Sequence, residues 1–298
     1  MHTEGPVAMR VFDNTPCFLG EGPLWHPELK QLFWFDIINS KLYSLSGDTA
    51  SSWCFDKMVS AAGWISKDEL LIASETSLLR FNLRTGEERV LVPLEADNQV
   101  TRSNDGRADP WGGFWIGTMG KNAEPGAGAI YRYYAGELRQ LYPDISIPNA
   151  ICFAPDRSCA YYTDTPTRKV MRQPLNATDG WPEGEPELFI DLSEAGLNPD
   201  GAVTDSDGNI WIACWGDAAV RAFNQAGEEI ERVALRAEHA TCPAFGGLDL
   251  STLYVTSAQQ DIPVEKRDLQ AAGQTFFEGI RFTGVPEPAV VLEEETSD

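Results

Sequence analysis

Short runs of large apolar residues, not long amphipathic stretches, organise this chain. No segment repeats apolar residues at i, i+3, i+4 and i+7 over helical length. Instead, strands of a few apolar residues recur behind turns rich in Pro, Asp and Gly. They are PELKQLFWFD (27–36), SKDELLIAS (66–74), DPWGGFWIG (109–117), PDRSCAYYTD (155–164), DSDGNIWIA (205–213) and LDLSTLYVT (248–256). Their centres, Trp34, Leu71, Trp115, Tyr161, Trp211 and Tyr254, lie 37, 44, 46, 50 and 43 residues apart, an average of 44. A second apolar segment follows five of the six after a tight turn: KLYSLS (41–46), SLLRFNL (77–83), GAIYRYY (128–134), KVMRQPL (169–175) and AVRAFNQ (219–225).

A period of this length, made of several short strands, is that of a β-propeller blade. Six such units account for 264 of the 298 residues. The expectation is an all-β, six-bladed β-propeller, residues 1–298 forming a single domain without a linker. A sandwich or barrel would leave the spacing an accident. Residues 7–12 (VAMRVF) are expected to add an outer strand to the last blade, closing the ring without an exposed edge. The acidic run EEETSD (293–298) reads as a frayed end.

Composition narrows the function. Forty-five acidic against 23 basic residues give a formal charge of −22, which disfavours nucleic acid or an anionic membrane surface as partner. With 43% hydrophobic residues the chain is too apolar for a solvated acidic coil. Three histidines (His2, His26, His239) exclude a His-rich zinc site, and no G-x-S-x-G elbow supports a serine triad. Six cysteines without C-x-x-C spacing read as reduced thiols. Neither a signal-peptide core nor an apolar run of membrane-spanning length is present, so a cytoplasmic location is expected.

Propeller loops converge on the central channel before each innermost strand, and four polar segments stand at such places. They are LGEGPLW (19–25) with Glu21, TRSNDGRADP (101–110) with Arg102, Asn104 and Asp105, SIPNAICF (146–153) with Asn149, and NPDGAVTD (198–205) with Asp200. Singly, Glu21 reads as a surface turn acid and N-D-G as an ordinary turn. Jointly, two carboxylates and an amide facing one another supply oxygen ligands for a hard divalent cation such as Ca²⁺, Mg²⁺ or Mn²⁺. Asp205-Ser206-Asp207-Gly208 begins like an EF-hand loop but lacks the distal Glu and reads as a hairpin turn. His26, Cys214 and Trp215 read as structural.

In this order and spacing, L-G-E-G-P (19–23), R-S-N-D-G-R-x-D-P (102–110), G-T-M (117–119), I-P-N (147–149), P-D-G (199–201) and C-P-A-F-G-G (242–247) resemble the senescence-marker-protein/gluconolactonase/luciferin-regenerating-enzyme family, which includes regucalcin and bacterial sugar lactonases. The resemblance implies a six-bladed propeller with a metal site in its central channel. It implies one divalent metal ion held by Glu21, Asn149 and Asp200, Ca²⁺ foremost, with Zn²⁺, Mn²⁺ and Mg²⁺ as other candidates. Asp200 would serve as the base, Arg102 and Asn104 would hold the substrate, and Asn104 would lie near the metal. Where animal members carry a substrate-contacting glutamate, this sequence has Asn122, preceded by Lys121, so both enter the candidate substrate-binding set.

The implied activity is a metal-dependent sugar lactonase converting an aldono-lactone (gluconolactone-, arabinonolactone- or galactonolactone-like) to its acid. The alternatives are a phosphotriesterase-like hydrolase on the same propeller and a non-enzymatic calcium-binding regulatory protein. Segment 101–139 carries five basic residues (Arg102, Arg107, Lys121, Arg132, Arg139) against four acidic ones, which predicts near-neutral substrate-facing loops in a strongly negative molecule.

Overall fold

The computed structural model describes residues 8–293, folded into six four-stranded antiparallel sheets. Five are consecutive in sequence, opening with innermost strands Gly20–His26, Val59–Ser66, Thr101–Ala108, Pro148–Phe153 and Asn198–Thr204. The sixth runs Ala240–Gly246, Thr252–Ser257, Thr275–Gly279 and ends on the N-terminal strand Arg10–Asp13. The ring is thus closed by the chain's beginning, with Arg10 opposite Phe277 and Val11 opposite Phe276. The predicted outer strand is present from Arg10; Val7, and residues 294–298 of the acidic tail, lie outside the described residues.

Burial falls from the axis outward, which explains what the repeat was reading. The innermost strands Gly20–His26 and Ala240–Gly246 are buried throughout, and the outermost strand Thr49–Cys54 is mostly exposed. Trp34, Leu71, Trp115, Tyr161, Trp211 and Tyr254 all lie on the second strand of their blades. That strand is covered on both faces by neighbouring blades, so its sequence is a continuous apolar run. There is no single core. Each pair of adjacent blades shares its own, as where Phe33 and Phe35 meet Leu70 and Ile72, or where Val203 and Trp211 meet Phe245 and Leu253.

Close approach at the axis demands small residues. A Cβ added to Gly201 would lie 2.6 Å from the Cβ of Cys242 on the next blade. The Asp205–Gly208 segment is the hairpin turn expected, with Asp205 accepting from the backbone N–H of Asp207 and Asn209 and from Trp211 Nε1. All six cysteines are free thiols. No helix among the described residues is long and apolar enough to cross a membrane.

Trp211 is fully buried, edge-on to Phe245 and Phe282 with centroids 5.7 and 4.9 Å away. Trp211→Ala is expected to lower stability by about 3–5 kcal/mol in equilibrium denaturation, as a large aromatic lost from a core does.

Candidate functional site

Each of the six innermost strands slips register near its start against its second strand, and Val59–Ser66 slips again between Trp64 and Ser66. The slips fall between Glu21 and Leu24, Val59 and Ala61, Ser103 and Gly106, Asn149 and Cys152, Pro199 and Ala202, and Ala240 and Pro243. A bulge bends the strand and re-aims its side chains. Four of these bulges carry the candidate residues, and in two the residue that follows adopts a left-handed backbone: Gly22 (φ 53°) after Glu21 and Ala150 (φ 54°) after Asn149. Asn104-Asp105-Gly106 is therefore a bulge inside Thr101–Ala108, not the turn its composition suggests. Nor is Glu21 a surface acid, being 4% exposed.

Glu21, Arg102, Asn104, Asn149 and Asp200 line one cavity of about 270 Å³. That is just below the roughly 300–1,000 Å³ usual for ligand sites. A directed chain of hydrogen bonds joins three blades there. Arg102 Nη1 donates to Asn104 Oδ1 (2.9 Å), and Asn104 Nδ2 donates to Asn149 Oδ1 (3.1 Å) and to the Pro148 carbonyl (3.0 Å). Asn149 Nδ2 donates to Thr165 Oγ1 (2.9 Å), whose hydroxyl donates to the Pro199 carbonyl (2.7 Å) beside Asp200.

The acids are short of positive charge. Burial, and then the charge of Asp105, hold the Glu21 carboxyl up at about 8, against the pull of the Gly22 N–H and Arg102. Asp200 is pushed well above the usual range by burial, then by Glu21 and Asp105. Asp105 itself, raised to about 6 by burial, accepts from the Ile151 N–H (2.8 Å) two residues past Asn149. Arg102 is lowered to about 10 by its own burial. Among the described residues no group of three or more His, Cys, Asp or Glu side chains is placed to hold a metal. Two carboxylates with the amide oxygen of Asn149 still form a donor set that suits a hard cation.

Lys121 and Asn122 stand apart from this cluster. Lys121 Nζ pairs with Glu75 (2.8 Å) and Asn122 bonds Glu124 through its backbone and side chain (3.0 Å each), while Met119 and Ala123 on either side line the cavity. The other basic residues of 101–139 are also spent elsewhere: Arg107 on Glu287, Arg132 on Asp109, Arg139 on Glu137. Only Arg102 of the five lines the cavity, so the charge balance of that segment does not describe the substrate-facing surface. His26 is structural: Nδ1 accepts from Glu28 and Leu29 N–H (3.2 Å each), which leaves Nε2–H to donate to Ser66 O (3.1 Å). Cys214 is core as expected, but Trp215 is not. It lines the cavity, stacked on His239 with centroids 4.0 Å apart and planes 9° apart. Thr165 also went unnoticed in the sequence, since T-P-T carries no motif.

A sequence profile described as the SMP-30/Gluconolactonase/LRE-like region matches residues 19–259. The chain belongs to this family. It is 33% identical over 285 residues to the pentonolactonase of Haloferax volcanii, covering 93% of this chain and 96% of that protein. It is 32% identical over 280 residues to the 6-deoxy-6-sulfogluconolactonase of Pseudomonas putida, covering 92% and 95%. Among solved structures, the calcium-binding protein regucalcin of Agrobacterium tumefaciens superposes with a TM-score of 0.94 at 41% identity, covering 98% of this chain and all of that one. The matched residues include all six innermost strands and leave out the N-terminal closing strand.

The raised carboxyls make a stability prediction for chelator-treated protein. Between the unfolded value near 4.5 and the folded value near 8, folded Glu21 holds a proton that the unfolded chain has released. Stability is then present at low pH and falls as pH rises through that window. Glu21→Gln should flatten the fall and stabilise metal-free protein at pH 8 by about 1 kcal/mol or more, the equivalent of a pKa unit. Thermal unfolding from pH 5 to 8 checks it.

Proposed function

We propose that the protein is a sugar lactonase, adding water across the ring ester of an aldono-lactone, with one divalent cation, Ca²⁺ foremost, held by Glu21, Asn149 and Asp200. The convergence of these three residues with Arg102 and Asn104 on one small cavity carries the reading. The lactonase relatives named above support it. Bound there, the cation would polarise the lactone carbonyl and offset the two carboxylates.

The chain's own groups do the rest. Asp200, nearest in chemistry to a general base, takes the proton of the attacking water as its oxygen bonds the carbonyl carbon. It returns a proton to the ring oxygen as the C–O bond breaks, so the residue ends as it began; such a role contributes about 10²–10⁴-fold. Arg102 Nη1 is committed to Asn104 and the Ser103 carbonyl, which leaves Nη2 for a substrate oxygen. Both N–H groups of Asn104 are spent on Pro148 and Asn149. Its contribution to the substrate is confined to accepting at Oδ1. Leu19, Met119, Ile147 and Trp215 supply an apolar wall for the C–H faces of a sugar ring.

The calcium-binding relative keeps a second reading in view, a binding protein without turnover. Acid release from a panel of five- and six-carbon lactones, with and without chelator, separates the two. Wild-type turnover that chelator abolishes is expected. Asp200→Asn and Glu21→Gln should each lower kcat/KM by about 10² or more while leaving the circular dichroism unchanged. Calcium binding with no lactone opened, or full turnover by either variant, would overturn the lactonase reading.

A further inference from the structure

We infer that Thr165 is a positioning residue that, together with Asn104, holds the Asn149 amide with its oxygen toward the cation; the inference rests on the ligand set proposed above. An amide side chain can present either its oxygen or its NH₂, and only the surrounding hydrogen bonds choose. Here both ends of the chain that contains it are fixed in direction. At one end the Arg102 guanidinium can only donate, so Asn104 must turn its Oδ1 to it and its Nδ2 to Asn149. At the other end the Pro199 carbonyl can only accept, so the Thr165 hydroxyl proton is committed there and Oγ1 is left as an acceptor. Asn149 must therefore offer its Nδ2 to Thr165, and its Oδ1 is turned toward Asn104.

Thr165 is itself held in place. Its N–H donates to the Ile147 carbonyl (3.0 Å), and the neighbouring Asp164 carboxylate accepts from the N–H groups of Ser146 and Ile147 (3.1 and 2.8 Å). The loop that carries Thr165 thus grips the segment just ahead of Asn149, while its hydroxyl reaches the next blade at the residue before Asp200. One hydroxyl therefore secures the NH₂ end of one candidate ligand, opposite the Asn104 donor at its oxygen, and ties it to the strand of another. Removing it leaves Asn149 Nδ2 without its acceptor and the Asn104 donor as the named hydrogen bond still holding the amide, so the oxygen is held toward the cation less firmly.

The test titrates Ca²⁺ alone into chelator-treated full-length protein by calorimetry. Thr165→Val keeps the shape and removes the hydroxyl; Thr165→Ser keeps the hydroxyl. Thr165→Val, or Thr165→Ala should the valine variant not fold, is expected to weaken calcium about 10–100-fold, the usual effect of losing a group that orients a metal ligand. Thr165→Ser is expected to bind as wild type. The rise in Tm on adding calcium should shrink in the hydroxyl-free variant and not in Thr165→Ser, a difference that a merely structural contact would not produce. A folded hydroxyl-free variant with wild-type affinity overturns the inference alone, as does Thr165→Ser binding no better than it. A wild type that binds no calcium overturns the ligand set and this inference with it.

Discussion

Carboxylates buried together around one axis set the terms for the rest of the molecule. Glu21, Asp105 and Asp200 come from three blades; beyond burial, Asp105 raises Glu21, and both raise Asp200, while Glu287 adds a fourth buried acid further along the axis. Against them stand Arg102 and Arg107, which leaves this cluster two negative charges in excess. Isolated buried charge costs several kcal/mol per ion unless it is paired. A folded chain tolerates such a cluster by keeping some of the acids protonated or by admitting a counter-ion, and a divalent cation is the ion whose charge closes the balance. Stability at the axis and function at the axis are therefore opposed, and whatever neutralises the cluster serves both.

That opposition explains why the rest of the structure is so conventional. The stabilising contacts lie away from the axis, in six separate inter-blade cores, so one weak centre is surrounded by six strong seams. The first residues of the innermost strands contribute little side-chain bulk to these seams. They carry the bulges instead, and these turn polar side chains into the channel without breaking the ladder on either side. Closing the last blade with Arg10–Asp13 fixes the circumference on which the facing residues depend.

The fold was legible because the second strands are buried on both faces. Trp34, Trp115 and Trp211 stand in unbroken apolar runs, and their spacing counts the blades. The candidate ligands were legible for the opposite reason, as single polar residues in apolar surroundings. What stayed hidden depends on direction or on distant partners. Composition cannot tell a bulge from a turn, so Asn104-Asp105-Gly106 read as the latter. Nor can it say that Lys121 is drawn to Glu75 and Asn122 to Glu124, away from the cavity. Trp215, four residues after the buried Trp211, looked like more packing, and only the position of its strand's end brings it to the cavity. The Arg107–Glu287 pair joins residues 180 apart and has no local trace at all.

That pair also bears on traffic through the channel. Arg107, Phe153, Val203 and Thr204 lie at the far ends of innermost strands whose beginnings line the cavity. There the segment Val285–Pro288 lies across them, with the Glu287 carboxylate on Arg107 and its carbonyl accepting from Trp64 Nε1 (2.8 Å). That segment covers this end, and the candidate residues line the other, the mouth for the substrate of the proposed reaction. The charged side chains lining that mouth are Glu21, Asp200 and Asp261 against Arg102, again two negative charges in excess. With a divalent cation in place the lining is neutral. An uncharged lactone then enters without electrostatic cost, while the carboxylate made by opening it meets no net positive charge to retain it and faces a chain of −22 outside. Direction is thus supplied by the chemistry of the product.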